Sequence, residues 1–291
     1  MGDFAATRLW GAGFNRFAPE DDLAVRMDLV KDSTSRSRGG SPSTSWITRL
    51  RRRDLLEVVV VFALILAALW SSRRVQVVLG LLTFLWIVGS TLRSRASAAA
   101  LGLRPAGFRR SLWIVCAALG VAALGIWTAS RLHTLHFVSR RFSVESSLLV
   151  YLLWALVQQF ILQDFFLFRM LRILPKRSAA ILVTALLFAI AHIPNPVLTV
   201  ATLAWGIAAC TLFLRYRNLY SLGLAHAILG FCIAIAVPNA IHHQMRVGAG
   251  YLEWHAPAHR LQRSHIDQMV STDAWVMAEA TRRCSARHAL P

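Results

Sequence analysis

The sequence predicts an all-α, polytopic transmembrane helix bundle. Apolar residues make up 56% of the 291 residues, and the mean hydropathy is +0.51, whereas a soluble domain is nearer to about 45–50% apolar. Several apolar runs approach or exceed the roughly 20 residues that a helix needs to cross the hydrocarbon core of a bilayer. Short polar, arginine-rich or proline-containing segments separate these runs. Together these observations predict about seven spans, with six and eight as the limits.

The predicted spans follow one another closely, and each is bounded by a charged segment or a proline. They lie at residues 55–70, 75–92, 112–129, 148–173, 179–193, 197–214 and 219–237. Pro175, Pro194 and Pro238 each stand where a run stops, because proline ends or kinks a helix. Four regions result: 1–53, 54–145, 146–238 and 239–291.

Each of the four regions has its own composition. Residues 1–53 are basic and rich in Ser, Arg and Gly, so we expect them to be disordered. Residues 54–145 contain the N-terminal transmembrane helices, and 146–238 contain a core helical bundle. Residues 239–291 form a polar tail with six of the ten histidines, which we expect to be scattered on the solvent side.

The formal net charge of +18 comes almost entirely from arginine. These arginines flank the apolar runs, which is typical of residues that fix topology and contact anionic lipids. We therefore expect membrane lipids, and not nucleic acid, as partners. The positive-inside bias predicts a multi-pass protein of the cell membrane with a cytoplasmic N-terminus. Seven spans would place the six arginines of the tail outside, so the span count can change by one.

The fourth predicted span carries polar residues at membrane depth. Gln159, Gln163 and Asp164 share one broad arc of a helix, and Arg169 follows one to two turns later. An ionisable group near the bilayer centre costs at least about 2.5–3.5 kcal/mol and persists where it faces a bundle interior or a cavity. This helix is therefore predicted to be interior, and Asp164 is expected to need a partner from another helix.

Two histidines join Asp164 from separate predicted spans: His192 near the end of the fifth and His226 within the seventh. A carboxylate and two imidazoles from three helices can activate water and stabilise an oxyanion. The same three groups suit a divalent metal such as zinc. Structural roles stay open as well, since intramembrane His and Gln often join helices and Arg169 can snorkel to the interface or pair with Asp164.

The order and spacing of these residues resemble a known family. Asp164 precedes Arg169 by five residues, Phe188 precedes His192 by four, and Asn218-Leu219 precedes His226 by about eight. This pattern is similar to the signature EExxxR, FxxxH and HxxxN or HxxxD of the CPBP (Abi) family, the membrane-embedded CAAX-processing and bacteriocin-processing proteases. The resemblance covers approximately residues 151–238.

The resemblance implies an intramembrane endopeptidase that hydrolyses a peptide bond of a peptide or membrane-protein substrate, of CAAX or bacteriocin-leader type. It implies Asp164 as general base, with His192 and His226 stabilising the tetrahedral intermediate or holding a metal. Arg169 would order the helix that carries Asp164, and the two glutamines, Gln159 and Gln163, would position water or substrate.

Two signature positions differ from the family pattern. Phe165 stands where the second Glu is usual, and Gly230 where Asn or Asp is usual. These differences favour an alternative, a catalytically silent relative that acts as scaffold, immunity factor or regulator. A small transporter or channel is a third interpretation, because intramembrane polar residues can also line a path.

Overall fold

A computed structural model describes residues 44–94, 96–136 and 144–254, and this part of the chain is helical without strands. The helices are α1 (Thr44–Leu69), α2 (Arg73–Arg93), α3 (Phe108–Arg131), α4 (Val144–Phe160), a π-helical segment (Ile161–Leu167), α5 (Phe168–Ile173), α6 (Arg177–Ile190), α7 (Pro196–Tyr216), α8 (Leu219–Ala236), α9 (Asn239–His242) and α10 (Ala249–Leu252). The predicted all-α fold is confirmed. The predicted disorder of residues 1–43 and the histidines beyond residue 254 lie outside the described residues.

Five described helices are long and apolar enough to cross a membrane. They are Arg73–Arg93, Phe108–Arg131, Leu148–Ile173, Pro196–Tyr216 and Leu219–Ala236. The other two predicted spans differ in ways that the sequence explains. Helix α1 is 26 residues long but carries several arginines and Asp54 in its first half and Glu57 at its middle, and α6 has only 14 residues. The result is roughly consistent with the predicted count of seven.

Helix α1 starts earlier than the sequence predicts. The sequence predicts disorder up to residue 53, whereas α1 begins at Thr44, within that region. The physical reason lies in tertiary contacts as well as in helix propensity. Asp54 accepts two hydrogen bonds of 2.8 Å from the guanidinium of Arg172, and Glu57 is bound by Arg169. These bonds join α1 to α5.

The bundle core forms where α8 packs against α3 and α4, and where α6 packs against α7. Small residues allow the close approach. The side chain of Leu156 on α4 lies directly over Gly223 of α8, in the space that a Cβ would occupy. Close backbone approach at small residues is the usual way in which helices associate in membranes. Leucines and tryptophans on the outer faces of α2, α3 and α4 are exposed, as expected of lipid-facing surfaces.

A π-helical segment interrupts the long fourth span. Residues Ile161–Leu167 have π-helical hydrogen bonding and contain both Gln163 and Asp164. Six of its seven residues are buried. π-helical turns often mark functional sites because they change the direction of the side chains that follow. The prediction that this span is interior is confirmed, since Gln159 and Gln163 are 0% exposed and Asp164 is 1% exposed.

The chain that follows α8 folds back onto the turn between α6 and α7. The Asn195 side-chain amide donates hydrogen bonds of 2.8 and 2.9 Å to the carbonyl oxygens of His242 and Arg246. Its Oδ1 accepts a bond of 3.1 Å from the N–H of Leu198 and so caps α7. The expectation of solvent-side histidines is wrong for His242, which is 1% exposed because this fold-back encloses it.

Candidate active site

A large cavity lies between α1, α2, α3, α4, α6, α7 and α8. Its volume is about 1050 Å³, and most of its wall is apolar, with Phe62, Phe84, Trp154 and Trp205 among its residues. Polar groups also reach this wall: Gln76, Thr83, Tyr151, Gln158, His192, Thr202 and His226. A mostly apolar cavity with a few convergent polar groups is typical of a small-molecule or substrate site.

His226 is held by a chain of two glutamines. The Gln163 amide donates to Oε1 of Gln159 at 3.2 Å, and the Gln159 amide lies 3.1 Å from Nδ1 of His226. Since an amide N–H donates, Nδ1 of His226 is the acceptor in this arrangement. The proton of the neutral ring is therefore on Nε2, which makes Nε2 a hydrogen-bond donor. The expectation that Gln159 and Gln163 face the same side is confirmed.

His192 is fixed in the opposite tautomer. It lies in the turn after α6, and its Nδ1 is 2.7 Å from the carbonyl oxygen of Phe188, four residues earlier. A carbonyl oxygen only accepts, so Nδ1 carries the proton and Nε2 of the neutral ring is an acceptor. The Phe188 ring makes edge contacts with both imidazoles, at centroid distances of 4.9 Å to His192 and 6.0 Å to His226. One aromatic side chain therefore orients both histidines at the cavity wall.

Asp164 lies beside this cavity and does not belong to its wall within the described residues. Neither oxygen of its carboxylate has a hydrogen-bond partner in the part of the chain that the structure describes. The cation that acts on it electrostatically is Arg217 at the end of α7, whose guanidinium also lies over the rings of Phe168 and Phe213. The structure therefore brings the two histidines together and leaves Asp164 deeper in the bundle.

Arg169 pairs with a residue that the sequence analysis did not single out. Its Nη2 lies 2.7 Å from a carboxylate oxygen of Glu57, it also bonds Ser90, and its Nη1 donates to the carbonyl of Phe165 at 3.1 Å. Arg169 therefore fixes the helix after the π segment to α1 and α2, and its partner is not Asp164. The available signal was Glu57 itself, an acidic residue within a predicted span.

The two positions that depart from the family signature have different surroundings. Phe165 is fully buried, and its ring packs against Phe166 and under the guanidinium of Arg169, at centroid distances of 5.1 and 3.7 Å. This position serves packing. Gly230 lies on the cavity wall, and the hydroxyl of Tyr151 is in direct contact with it. Tyr151 was also missed, because nothing in the sequence places it opposite Gly230.

The residues at the cavity do not fit a catalytic zinc site. Such a site has three protein ligands and an open position. His192 and His226 supply two imidazoles, and no group of three His, Cys, Asp or Glu able to hold a metal exists among the described residues. We therefore derive no reaction step through a metal, and the metal expected from the sequence stays a prediction.

Comparison with known protein families gives a match to part of the chain. Residues 141–232 match the family described as Rce1-like, type II CAAX prenyl endopeptidase. The matched segment includes Asp164, Arg169, His192 and His226. No curated protein and no solved structure matches the chain. The individual roles predicted for the four residues stay predictions.

Proposed function

Because the chain belongs to the CPBP family of membrane proteases, we propose that it is an intramembrane endopeptidase that hydrolyses a peptide bond inside the cavity. The observation that carries this proposal is the pair of imidazoles at the cavity wall. One ring presents an acceptor, Nε2 of His192, and the other presents a donor, Nε2–H of His226. Hydrolysis needs both functions, a base for water and a donor for the oxyanion.

In the proposed reaction His192 accepts a proton from water while the water oxygen bonds to the carbonyl carbon of the substrate. The π electrons of the carbonyl move to its oxygen, and the N–H of His226 donates a hydrogen bond to that oxyanion. When the intermediate collapses, the carbon–nitrogen bond breaks and His192 returns the proton to the leaving amine. The products are a carboxylic acid and a free amine, and the two rings regain their starting protonation.

The sequence predicts a different base, Asp164. That role requires the carboxylate to reach the cavity from its position beside it, whereas His192 already lines the wall. We therefore place the proton transfer on His192 and keep the Asp164 base as the alternative that mutagenesis decides. Gln159 and Gln163 are proposed to act through His226, by holding its ring in the donor tautomer.

The proposed substrate is a peptide whose C-terminal CAAX sequence carries a prenylated cysteine. Two observations support it: the family of residues 141–232 and the apolar wall of a cavity of about 1050 Å³. That volume is just above the usual range of about 300–1,000 Å³ for ligand pockets, so a prenyl chain and a short peptide segment can enter together. A bacteriocin leader is the competing substrate.

We also propose that the N-terminus lies in the cytoplasm, with the chain in the cell membrane. The arginine-rich segments that the positive-inside bias assigns to the inner face meet at one end of the bundle. Arg172 binds Asp54, and Arg217 donates to the carbonyl of Ala100 at 3.3 Å. Protease protection of N-terminally tagged protein in sealed vesicles of known orientation tests this topology.

The function is tested with the purified full chain in liposomes. The substrate is a fluorogenic peptide that ends in a farnesylated CAAX sequence, and the comparison peptides are the same sequence without farnesyl and a bacteriocin-type leader. We expect cleavage after the farnesylated cysteine, much faster than cleavage of the other two, and no loss of rate with a chelator. Folded protein that cleaves none of the three contradicts the proposal.

A second candidate function is the catalytically silent relative. Two observations favour it: Phe165 replaces a family carboxylate with a packed ring, and Asp164 does not line the cavity. Such a protein would bind the farnesylated peptide in the same cavity and release it intact. Binding without turnover in the liposome assay is the result that would select this alternative.

A further inference from the structure

At one part of the cavity wall, Tyr151 of α4 lies against Gly230 of α8. Gly230 of α8 lies about one helical turn, roughly 6 Å of rise, beyond His226 and on the same face. A Cβ at residue 230 would overlap the hydroxyl of Tyr151 on α4 and would lie 2.9 Å from its Cζ atom. The glycine therefore leaves the space that the phenol occupies.

The hydroxyl of Tyr151 has no hydrogen-bond partner within the described part of the chain. The residue lines the same cavity as His192 and His226. A tyrosine hydroxyl that is largely buried usually finds a partner, because losing its hydrogen bond to water is costly. This hydroxyl instead lies at the cavity wall against Gly230, so a polar group of a molecule bound in the cavity can accept from it.

We propose that the Tyr151 hydroxyl is a second oxyanion donor, which contacts the scissile carbonyl oxygen together with the N–H of His226. The proposal rests on the peptidase function proposed above. When water adds to the carbonyl carbon and the negative charge develops on oxygen, the phenol O–H donates to that oxygen and keeps its proton. No further bond forms or breaks at Tyr151.

The contact between Tyr151 and Gly230 explains why residue 230 differs from the family signature. The family signature places an amide or carboxyl side chain one turn after the second histidine, and this chain has glycine there. A side chain at 230 and the phenol of Tyr151 cannot occupy the same space. The polar group at this point of the wall thus comes from α4 instead of α8.

Tyr151→Phe tests the proposal, since it removes one oxygen and keeps the ring against Gly230. With the farnesylated peptide we expect kcat to fall by about 10²–10³, the usual effect of losing an oxyanion donor, while KM stays within about threefold. The matched control is Tyr220→Phe, because the Tyr220 hydroxyl is exposed and bonds the carbonyl of Leu103 at 3.1 Å, away from the cavity. We expect wild-type kcat for this control.

A paired substitution separates a catalytic donor from a packing residue. Tyr151→Ala should lower kcat, and Gly230→Asn alone should disturb the wall because the Asn side chain meets the phenol. The double variant Tyr151→Ala/Gly230→Asn places an amide donor where the phenol was, and we expect at least about tenfold higher kcat than with Tyr151→Ala alone. A packing role would give no such recovery.

The outcomes also separate this proposal from the function on which it rests. If wild-type protein cleaves the peptide and Tyr151→Phe keeps the wild-type kcat, the Tyr151 proposal is overturned and the peptidase stands. If wild-type protein cleaves no peptide, the peptidase fails, and the Tyr151 proposal fails with it.

Discussion

Gln159 on α4 donates a hydrogen bond of 3.1 Å to Nδ1 of His226 on α8, across the buried interface of the two helices. This bond decides which nitrogen of His226 carries the proton at the cavity wall. A side chain that is 67 residues distant in sequence therefore sets the chemistry of a residue proposed to contact substrate.

Loss of the Gln159 amide should weaken catalysis by releasing the ring. We expect Gln159→Leu to lower kcat about tenfold with little change in KM, since a buried hydrogen bond of about 1–1.5 kcal/mol corresponds to that factor. Gln163→Leu removes the next bond of the chain and should have a smaller effect. Steady-state kinetics of both variants in liposomes measures this order. An effect of Gln163→Leu that exceeds that of Gln159→Leu would contradict it.

The base assignment predicts different results for two variants. His192→Gln should lower kcat by about 10²–10⁴, the usual contribution of a general base. Asp164→Asn should retain activity within about tenfold, because Asp164 lies outside the cavity wall. Single-turnover cleavage of the farnesylated peptide compares them directly. If Asp164→Asn abolishes cleavage in a protein of unchanged melting temperature, the carboxylate predicted from the sequence is the base after all.

The ion pair between Arg169 and Glu57 should matter for stability more than surface pairs do. Arg169 is 4% exposed, so Arg169→Met removes the buried partner of Glu57 and leaves this carboxylate only Ser90 and the exposed Arg53, at a cost near the lower end of about 3–5 kcal/mol. The matched control is Arg53→Met, which breaks a pair with the same Glu57 from a side chain that is 61% exposed; such pairs contribute about 0–1 kcal/mol.

Thermal unfolding in detergent measures the melting temperatures of both variants. The double variant Glu57→Met/Arg169→Met should recover part of the lost melting temperature, because it also removes the carboxylate that has lost its buried partner. Equal destabilisation by Arg169→Met and Arg53→Met would show that the buried bridge has no special role.

The burial of His242 predicts that the stability of the folded protein depends on pH. Burial lowers the pKa of His242 below the ordinary value of about 6.5, against the opposing effect of its bond to the carbonyl of Val237. Its other nitrogen, Nδ1, accepts from the N–H of Met245 at 3.0 Å, and this bond is lost on protonation. The neighbouring histidines, His136 stacked at 6.0 Å and the adjacent His243, also lower the pKa of His242.

The direction of this pH dependence follows from proton binding by His242 in the folded and the unfolded chain. As pH falls below about 6.5, the unfolded chain binds a proton at His242 and the folded chain does not, so stability decreases until the lowered folded pKa is reached. We expect the wild-type melting temperature to fall between about pH 7.5 and pH 5, and His242→Gln to show a shallower slope. His133→Gln, at an exposed histidine, should keep the wild-type slope. Parallel slopes for wild type and His242→Gln would refute the role of His242.

The boundaries of the transmembrane helices could be predicted from the sequence because hydropathy is a local property of the chain. The predicted span 148–173 agrees with the helical stretch Leu148–Ile173, and the last span differs from Leu219–Ala236 by one residue. The side-by-side placement of Gln159 and Gln163 also followed, since four residues make about one helical turn.

The remaining features depend on contacts between distant segments. Glu57 and Arg169 are 112 residues apart, and the position of Tyr151 at Gly230 depends on how α4 packs on α8. The π segment changes the direction of Asp164 relative to Gln159, which a uniform helical period does not show. Burial of His242 requires the fold-back onto Asn195. None of these can be read from local patterns.

The most direct test of the account is cleavage of the farnesylated CAAX peptide by variants of the two cavity histidines. His192→Ala and His226→Ala are compared in liposomes with His133→Ala, which changes an exposed histidine outside the cavity. The account predicts that cleavage is lost in the first two variants and unchanged in the third, with all three proteins folded. Wild-type cleavage by either cavity variant would contradict the proposed site.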